Sequence, residues 1–184
     1  MALIKSISGF RGTIGGKTND GLTPIDTVKF VSAFAAFIKE TYNKENIKIV
    51  LGRDARVSGE MVSHLVVGTL MGMGVDVIDT GLSTTPTVEV AVTEKQADAG
   101  IILTASHNPM QWNALKFLNA KGEFISASEG KRVLELAASE DFLFAEVDKL
   151  GHCTSDTTTI DMHIEKVLAL ELVDVEAIKR ANFK

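Results

Sequence analysis

The chain has 184 residues, 45% of them hydrophobic and 23% charged, and its 24 Asp and Glu outnumber its 19 Lys and Arg for a formal net charge of -5. That length allows one domain of ordinary size plus a small appendage, since single cores take roughly 100–200 residues, and the acidic balance without a Lys/Arg-rich run argues against a nucleic-acid partner. A lone Cys153 excludes an internal disulfide, no Cys/His group has zinc-ligand spacing, and there is neither a signal peptide's apolar core nor a membrane-length apolar run, so a reduced, cytoplasmic protein with no membrane partner is expected.

A glycine-rich opening (Gly9, Gly12, Gly15, Gly16) precedes Thr23-Pro24-Ile25-Asp26, which supplies a capping hydroxyl, a proline at the first helical position and an acid in the first turn. Apolar residues at Ile25, Val28, Phe30, Val31, Phe34, Ala35, Phe37 and Ile38 continue one helical face until the polar stretch 43–46. Residues 47–51 are short and β-branched and predict a buried strand. The loop Gly52-Arg53-Asp54-Ala55-Arg56-Val57 follows, and Ser58 is placed to cap a helix carrying Met61, Leu65, Val66, Leu70 and Met73, which Gly72 and Gly74 stop. Residues 75–78 predict a second buried strand, and Thr85-Pro86 repeats the cap-then-proline signal for a helix reaching about Lys95. A third strand over 99–104 delivers the chain into Ala105-Ser106-His107-Asn108-Pro109.

Beyond it, residues 115–117 and 123–125 flank a polar turn and predict a hairpin. Ser126 and Glu129 form a capping box for a helix carrying Val133, Leu134, Leu136 and Ala137. The Ser/Thr-rich stretch 148–159 predicts a linker with Gly151 as its hinge. An amphipathic segment over 160–170 and a short helix capped by Asp174 come last, too little to bury a core of their own. Alternating strands and helices through the first 145 or so residues predict an α/β fold: a three-layer α/β/α domain over 1–150 with a mixed, mainly parallel sheet, and a short helical C-terminal extension over 151–184. In such folds ligands sit beyond the carboxyl ends of the strands, where the loops after Leu51 and Leu103 both lie.

The loop after Leu103 sets a hydroxyl, an imidazole and an amide in succession. A serine that acts as a nucleophile or phosphoryl carrier needs a neighbouring proton acceptor or cation, and His107 and Lys116 are the groups at hand. Ser106 and Asn108 equally fit an Asx/Ser turn ahead of Pro109. A serine-hydrolase elbow would need glycines two positions to either side of the serine, where Thr104 and Asn108 stand. Arg11, in a glycine-flanked turn, is placed for close approach to a phosphate, whereas Arg53 and Arg56 read as solvated or paired with Asp54. His64 and His163 read as ordinary helix residues, Met71 and Met73 as packing, and His152 and Cys153 as linker residues without partners.

Thr104-Ala105-Ser106-His107-Asn108-Pro109 resembles the active-site serine loop of the α-D-phosphohexomutases, the superfamily of phosphoglucomutase, phosphomannomutase and phosphoglucosamine mutase. Two further motifs agree in order: Ser8-Gly9-Phe10-Arg11-Gly12-Thr13 is similar to the family's Gly-Ile/Phe-Arg-Gly entry, and Gly52-Arg53-Asp54-Ala55-Arg56-Val57-Ser58 to its Gly-Arg-Asp-x-Arg loop. Where the family usually continues through Tyr-Asn-Gly to a lysine, Gln111-Trp112-Asn113-Ala114-Leu115-Lys116 keeps Asn113 and Lys116 and substitutes Trp112 and Ala114.

The resemblance implies an isomerase that interconverts hexose 1- and 6-phosphates of glucose, mannose or glucosamine through a phosphoserine and a bisphosphorylated sugar, with magnesium. Ser106 then matches the phosphoserine and the metal contact through its phosphate. Ser106, His107, Lys116 and Arg11 become the catalytic candidates, and Arg11, Asn108 and Lys116 the phosphate-binding ones. The resemblance assigns 1–150 to the family's first domain and 151–184 to the entry of its second. The family's magnesium loop of the Asp-Gly-Asp-x-Asp-Arg type, sugar-recognition loop and phosphate-binding loop have no counterpart here, so the sequence reads as an N-terminal piece, expected to be inactive alone and to need the remaining mutase domains. A non-catalytic phosphosugar-binding module and a serine hydrolase stay open as alternatives.

Overall fold

The computed structural model describes residues 2–6 and 9–183; Met1, Ile7, Ser8 and Lys184 lie outside the described residues, and with them the serine that opens the Gly9-Phe10-Arg11-Gly12 motif. Seven strands, β1 (Leu3–Ser6), β2 (Gly9–Thr13), β3 (Ile47–Arg53), β4 (Val75–Leu82), β5 (Ala99–Leu103), β6 (Trp112–Leu118) and β7 (Cys153–Ser155), form one sheet in the order β1-β2-β6-β5-β3-β4-β7. The pairings β5·β3, β3·β4 and β4·β7 are parallel; β1·β2, β2·β6 and β6·β5 are antiparallel. Two successive reversals return β2 to the direction of β3, β4, β5 and β7, so the sheet is mixed with five strands pointing one way and β1 and β6 the other.

Helices α1 (Pro24–Tyr42), α2 (Gly59–Gly72) and α4 (Ala127–Ser139) cover one face; α3 (Thr85–Glu94) and α5 (Thr159–Leu168) lie on the other, and α6 (Val175–Ala181) follows. This is the three-layer arrangement that the strand and helix alternation predicts. Strand alternation divides the core accordingly. Ile49, Leu51, Ile101, Leu103, Leu115 and Phe117 point toward α1, α2 and α4, where Phe10 stacks on Phe30 with ring centroids 3.7 Å apart and Phe34 on Phe117 at 4.0 Å. Val50, Ile102 and Leu118 point the other way, onto Val88, Ala91 and Val92 of α3. Gly52 is what lets α3 come so close: a Cβ there would stand 2.5 Å from Val88 Cγ2 and 2.7 Å from Thr80 Oγ1.

The helix starts follow local chemistry. Thr23 and Asp26 close a reciprocal capping box at α1, and Ser126 and Glu129 do the same at α4. The cap of α3 is Thr84 rather than Thr85, which moves Pro86 to the second helical position. Ser58 precedes α2 but does not cap it; its Oγ instead accepts a hydrogen bond from Asn113 Nδ2 at 2.9 Å.

Three stretches differ from expectation. The sequence predicts no strand before residue 47, yet β1 and β2 lie there, with Gly9 and Gly12 inside β2 and Gly15 and Gly16 in the bends that follow it. Residues 123–125 turn back on the end of β6 through a Leu118–Phe124 bridge, with the Asn119 N–H donating to Glu123 O at 2.8 Å and the Ile125 N–H to Phe117 O at 3.2 Å, but they form no full strand, since β2 takes that edge of β6 as far as Lys116. The stretch 148–159, expected as a linker, holds a 3-10 turn (Val147–Lys149) and β7, which pairs with β4 from Val77–Cys153 to Asp79–Ser155. Gly151 is a packing glycine rather than a hinge: its N–H donates to Met71 O, and a Cβ would lie 2.0 Å from Val75 O. Among the described residues no helix is long and apolar enough to cross a membrane.

Candidate functional site

Because β2, β3 and β5 run the same way and β6 runs back, the ends of the first three and the start of β6 meet at one edge of the sheet. The Asp54 N–H donates to Leu103 O at 3.0 Å and the Ile14 N–H to Gln111 O at 2.8 Å, tying the loops after β3, β5 and β2 to one another. The motifs quoted from the sequence as separate segments are thus one physical unit.

Ser106 sits on the loop leaving β5, exposed, with its backbone in the left-handed region at φ 56. Its N–H donates to Thr104 Oγ1 at 3.1 Å, and its Oγ lies 3.4 Å from His107 Nδ1, a long contact that leaves the hydroxyl open to a ligand. Asn108 is turned inward: its backbone N–H and its Nδ2 both donate to Ala105 O, at 3.1 and 2.7 Å, which makes the tight turn into Pro109.

Arg11 and Lys116 are strand residues, not loop residues. Arg11 pairs with Ala114 across β2 and β6, and Lys116 pairs with Gly9 on one side and Ile102 on the other. Alternation puts Arg11, Ala114, Lys116 and Ile102 on the α3 face of the sheet. Both cations are half-buried there, Lys116 with its Nζ 5.6 Å from the centre of the Phe124 ring. Among the described residues no hydrogen bond joins either of them to the serine loop, so they form a cationic floor beside the loop rather than part of it.

The residue that composition undervalued is Arg56. Its Nε pairs with Asp54 Oδ2 at 3.2 Å, as the Asp54-x-Arg56 spacing implies. The rest of its guanidinium donates to four backbone oxygens of the serine loop and the start of β6: Ser106 O at 2.7 Å, Asn108 O at 2.8 Å, and Pro109 O and Trp112 O at 3.0 Å. Among the described residues the Arg53 side chain makes only a 3.4 Å hydrogen bond from Nη1 to Asp54 O. His64 is exposed on α2. His163 is not an idle helix residue, since its Nδ1 lies 2.9 Å from Thr87 Oγ1 and ties α5 to α3. His152 and Cys153 belong to the sheet edge, where the His152 N–H donates to Asp76 Oδ1 at 2.9 Å.

A family model described as phosphoglucomutase/phosphomannomutase, alpha/beta/alpha domain I, matches residues 3–144. The chain belongs to the phosphoglucomutase/phosphomannomutase family. It is 37% identical over 171 residues to the phosphoglucomutase/phosphomannomutase of Thermococcus kodakarensis, covering 92% of this chain and 37% of that one. It is 31% identical to the phosphoglucosamine/phosphogalactosamine mutase of Sulfurisphaera tokodaii, covering 100% of this chain and 38% of the relative. The crystal structure of a phosphoglucomutase/phosphomannomutase family protein from Burkholderia thailandensis superposes with a TM-score of 0.72 at 21% identity over 90% of this chain and 36% of that one, a likeness of fold. The chain therefore spans 37–38% of the length of these curated relatives.

Within this phosphohexomutase fold the donors for a metal are few. Among the described residues no three His, Cys, Asp or Glu side chains come together as a metal site, and Asp54, the carboxylate beside the serine loop, is paired to Arg56. The residues present do not fit a magnesium site on their own, and no chemical step is assigned to the ion.

Proposed function

We propose that this chain is the phosphoryl-carrying domain of a phosphohexose mutase, with Ser106 as the carrier. The observation that supports it most is the exposed Ser106 hydroxyl on a turn whose carbonyl oxygens are drawn away by Arg56, at the sheet edge that also holds Arg11 and Lys116. In the forward half-reaction the bond between phosphorus and Ser106 Oγ breaks as a hydroxyl of a hexose phosphate bonds to phosphorus, giving a bisphosphorylated sugar. The proton of that hydroxyl passes to a base, for which His107 and Lys116 are the candidates, and Ser106 leaves as an alkoxide or takes a proton back. Rephosphorylation of Ser106 from the sugar's other phosphate completes the exchange of 1- and 6-phosphates. Arg11 and Lys116 would hold negative charge on the phosphoryl group in flight, where fixed charge counts most. A magnesium ion enters this reading only as a partner of the Ser106 phosphate, with its remaining ligands supplied from outside this chain.

Peptide mass spectrometry of the protein purified from its native cell tests the assignment. Phosphate on Ser106 is expected, and Ser106→Ala in a mutase of the relatives' full length should abolish turnover, because loss of a covalent carrier removes the pathway itself. Phosphate found elsewhere, or near-normal turnover of the alanine variant, would sink it. Hexose-phosphate binding without any phosphate on Ser106 would instead favour a binding module.

A further inference from the structure

The Arg56 guanidinium makes five hydrogen bonds, one to Asp54 and four to backbone oxygens some fifty residues away, and its side chain is only 11% exposed. A side-chain-bearing residue at φ 56 is held there by its surroundings, since an L-residue meets steric crowding in the left-handed region. Ser106 has such a restraint in the 2.7 Å bond from Arg56 Nη2 to its carbonyl oxygen. In a trans peptide the following N–H points opposite that carbonyl, so anchoring Ser106 O also aims the His107 N–H away from Arg56. The same guanidinium collects the carbonyl oxygens of Asn108, Pro109 and Trp112, the groups that would otherwise repel an incoming phosphate. A second tie, Asn113 Nδ2 to Ser58 Oγ, fixes the start of β6 to the same arginine-bearing loop.

We propose that Arg56 is the positioning residue of the serine loop: braced by Asp54, it sets the left-handed backbone at Ser106 and gathers the loop carbonyls behind it, so that the hydroxyl alone faces a phosphorylated ligand. The inference rests on the phosphoryl-carrier reading for its purpose, but not for its geometry. Arginine is required because its planar fork offers five donors in fixed directions, whereas a lysine offers three on a single point.

Arg56→Lys and Arg56→Gln compared with the wild-type chain test this by amide hydrogen exchange and NMR. In both variants the amides of Ser106, Asn108 and Trp112 should exchange roughly tenfold or more faster, while those of Val50 and Ile101 in the core strands keep their rates. The Ser106 backbone shifts should leave the values of the left-handed region in both. Unchanged loop exchange and Ser106 shifts in either variant would overturn the proposal, including the case where lysine restores wild-type behaviour and charge alone suffices. If neither variant folds, the wild type decides: the Arg56 guanidinium should show slow rotation about Cζ–Nε and resolved Nη protons, and fast rotation would overturn the idea. Lack of phosphate on Ser106 would strike the carrier reading alone and leave these outcomes standing.

Discussion

Lys116 and Arg11 owe their places to strand alternation, which turns both side chains to the α3 face of the sheet, outside the apolar cluster that Ile102 and Leu118 form with α3. Neither is part of the apolar core, so each is available to a ligand without being needed for folding. Lys116→Met and Arg11→Ala, in a mutase of the relatives' full length, should therefore lower turnover by about 10²–10⁴-fold, the usual scale for a charge-stabilising or proton-transferring group. Their melting temperatures should stay near wild type; a kinetic loss that tracks a fall in melting temperature would make the role structural. At this scale the sequence was most legible where chemistry is local. Ser106, His107 and Asn108 declare themselves as neighbours in one turn. Arg56 did not, because four of its five partners are backbone oxygens, which every residue carries and no sequence pattern marks. Only the Asp54-x-Arg56 spacing hinted that this arginine is held in place.

Among the elements, those with a repeating burial pattern or a capping signal were legible and those without were not. The capping boxes of α1 and α4 and the buried runs of β3 and β5 each carry a signal within a few residues. Strand β7 carries none: Cys153, Thr154 and Ser155 are all exposed at the sheet edge, so no alternation separates it from a polar linker. Strand β2 is masked by Gly9 and Gly12, which pack against backbone. The contacts that seat β7 and α5 give two tests. Gly151→Ala would drive a methyl into Val75 O and should destabilise by about 1–3 kcal/mol, the range for overpacking; a thermal unfolding midpoint equal to wild type would contradict that contact. The Asp156 carboxyl, hydrogen-bonded by Lys95 and Thr158, is held down to about 2 from an ordinary 3.8. A carboxyl depressed on folding adds stability that is complete above its unfolded pKa and is lost as pH falls through the folded one. Exchange of the α5 amides should thus accelerate between about pH 3.8 and 2, and Asp156→Asn should remove that acid dependence. An unchanged acid profile in the variant would assign it to other carboxylates.

For the molecule as a whole, the three layers bury one continuous sheet and leave its carboxyl edge open, so the groups proposed to act in catalysis all stand at that one edge. Helix α5 adds to this body through the His163–Thr87 contact, the Lys166–Glu94 pair at 2.8 Å and Met162 against the α3-side core, while Leu172 and Phe183 beyond it are 97% and 83% exposed. A complete core with a one-sided site leads to the last prediction: the 184-residue chain alone folds cooperatively and does not interconvert hexose phosphates. Folding is expected because every sheet strand except the edges is covered by helices on both sides or paired on both edges. Inactivity is expected because phosphoryl transfer draws most of its rate from positioning the acceptor and neutralising charge around the phosphorus, and among the described residues the proposed carrier Ser106 and the cations Arg11 and Lys116 all lie at one open sheet edge. A single calorimetric transition together with no conversion of glucose, mannose or glucosamine 1-phosphate to the 6-phosphate is the expected pair of results. Measurable conversion by the purified chain would mean that Arg11, His107 and Lys116 orient the sugar unaided, and a transition without cooperativity would mean that the layers depend on contacts from outside them.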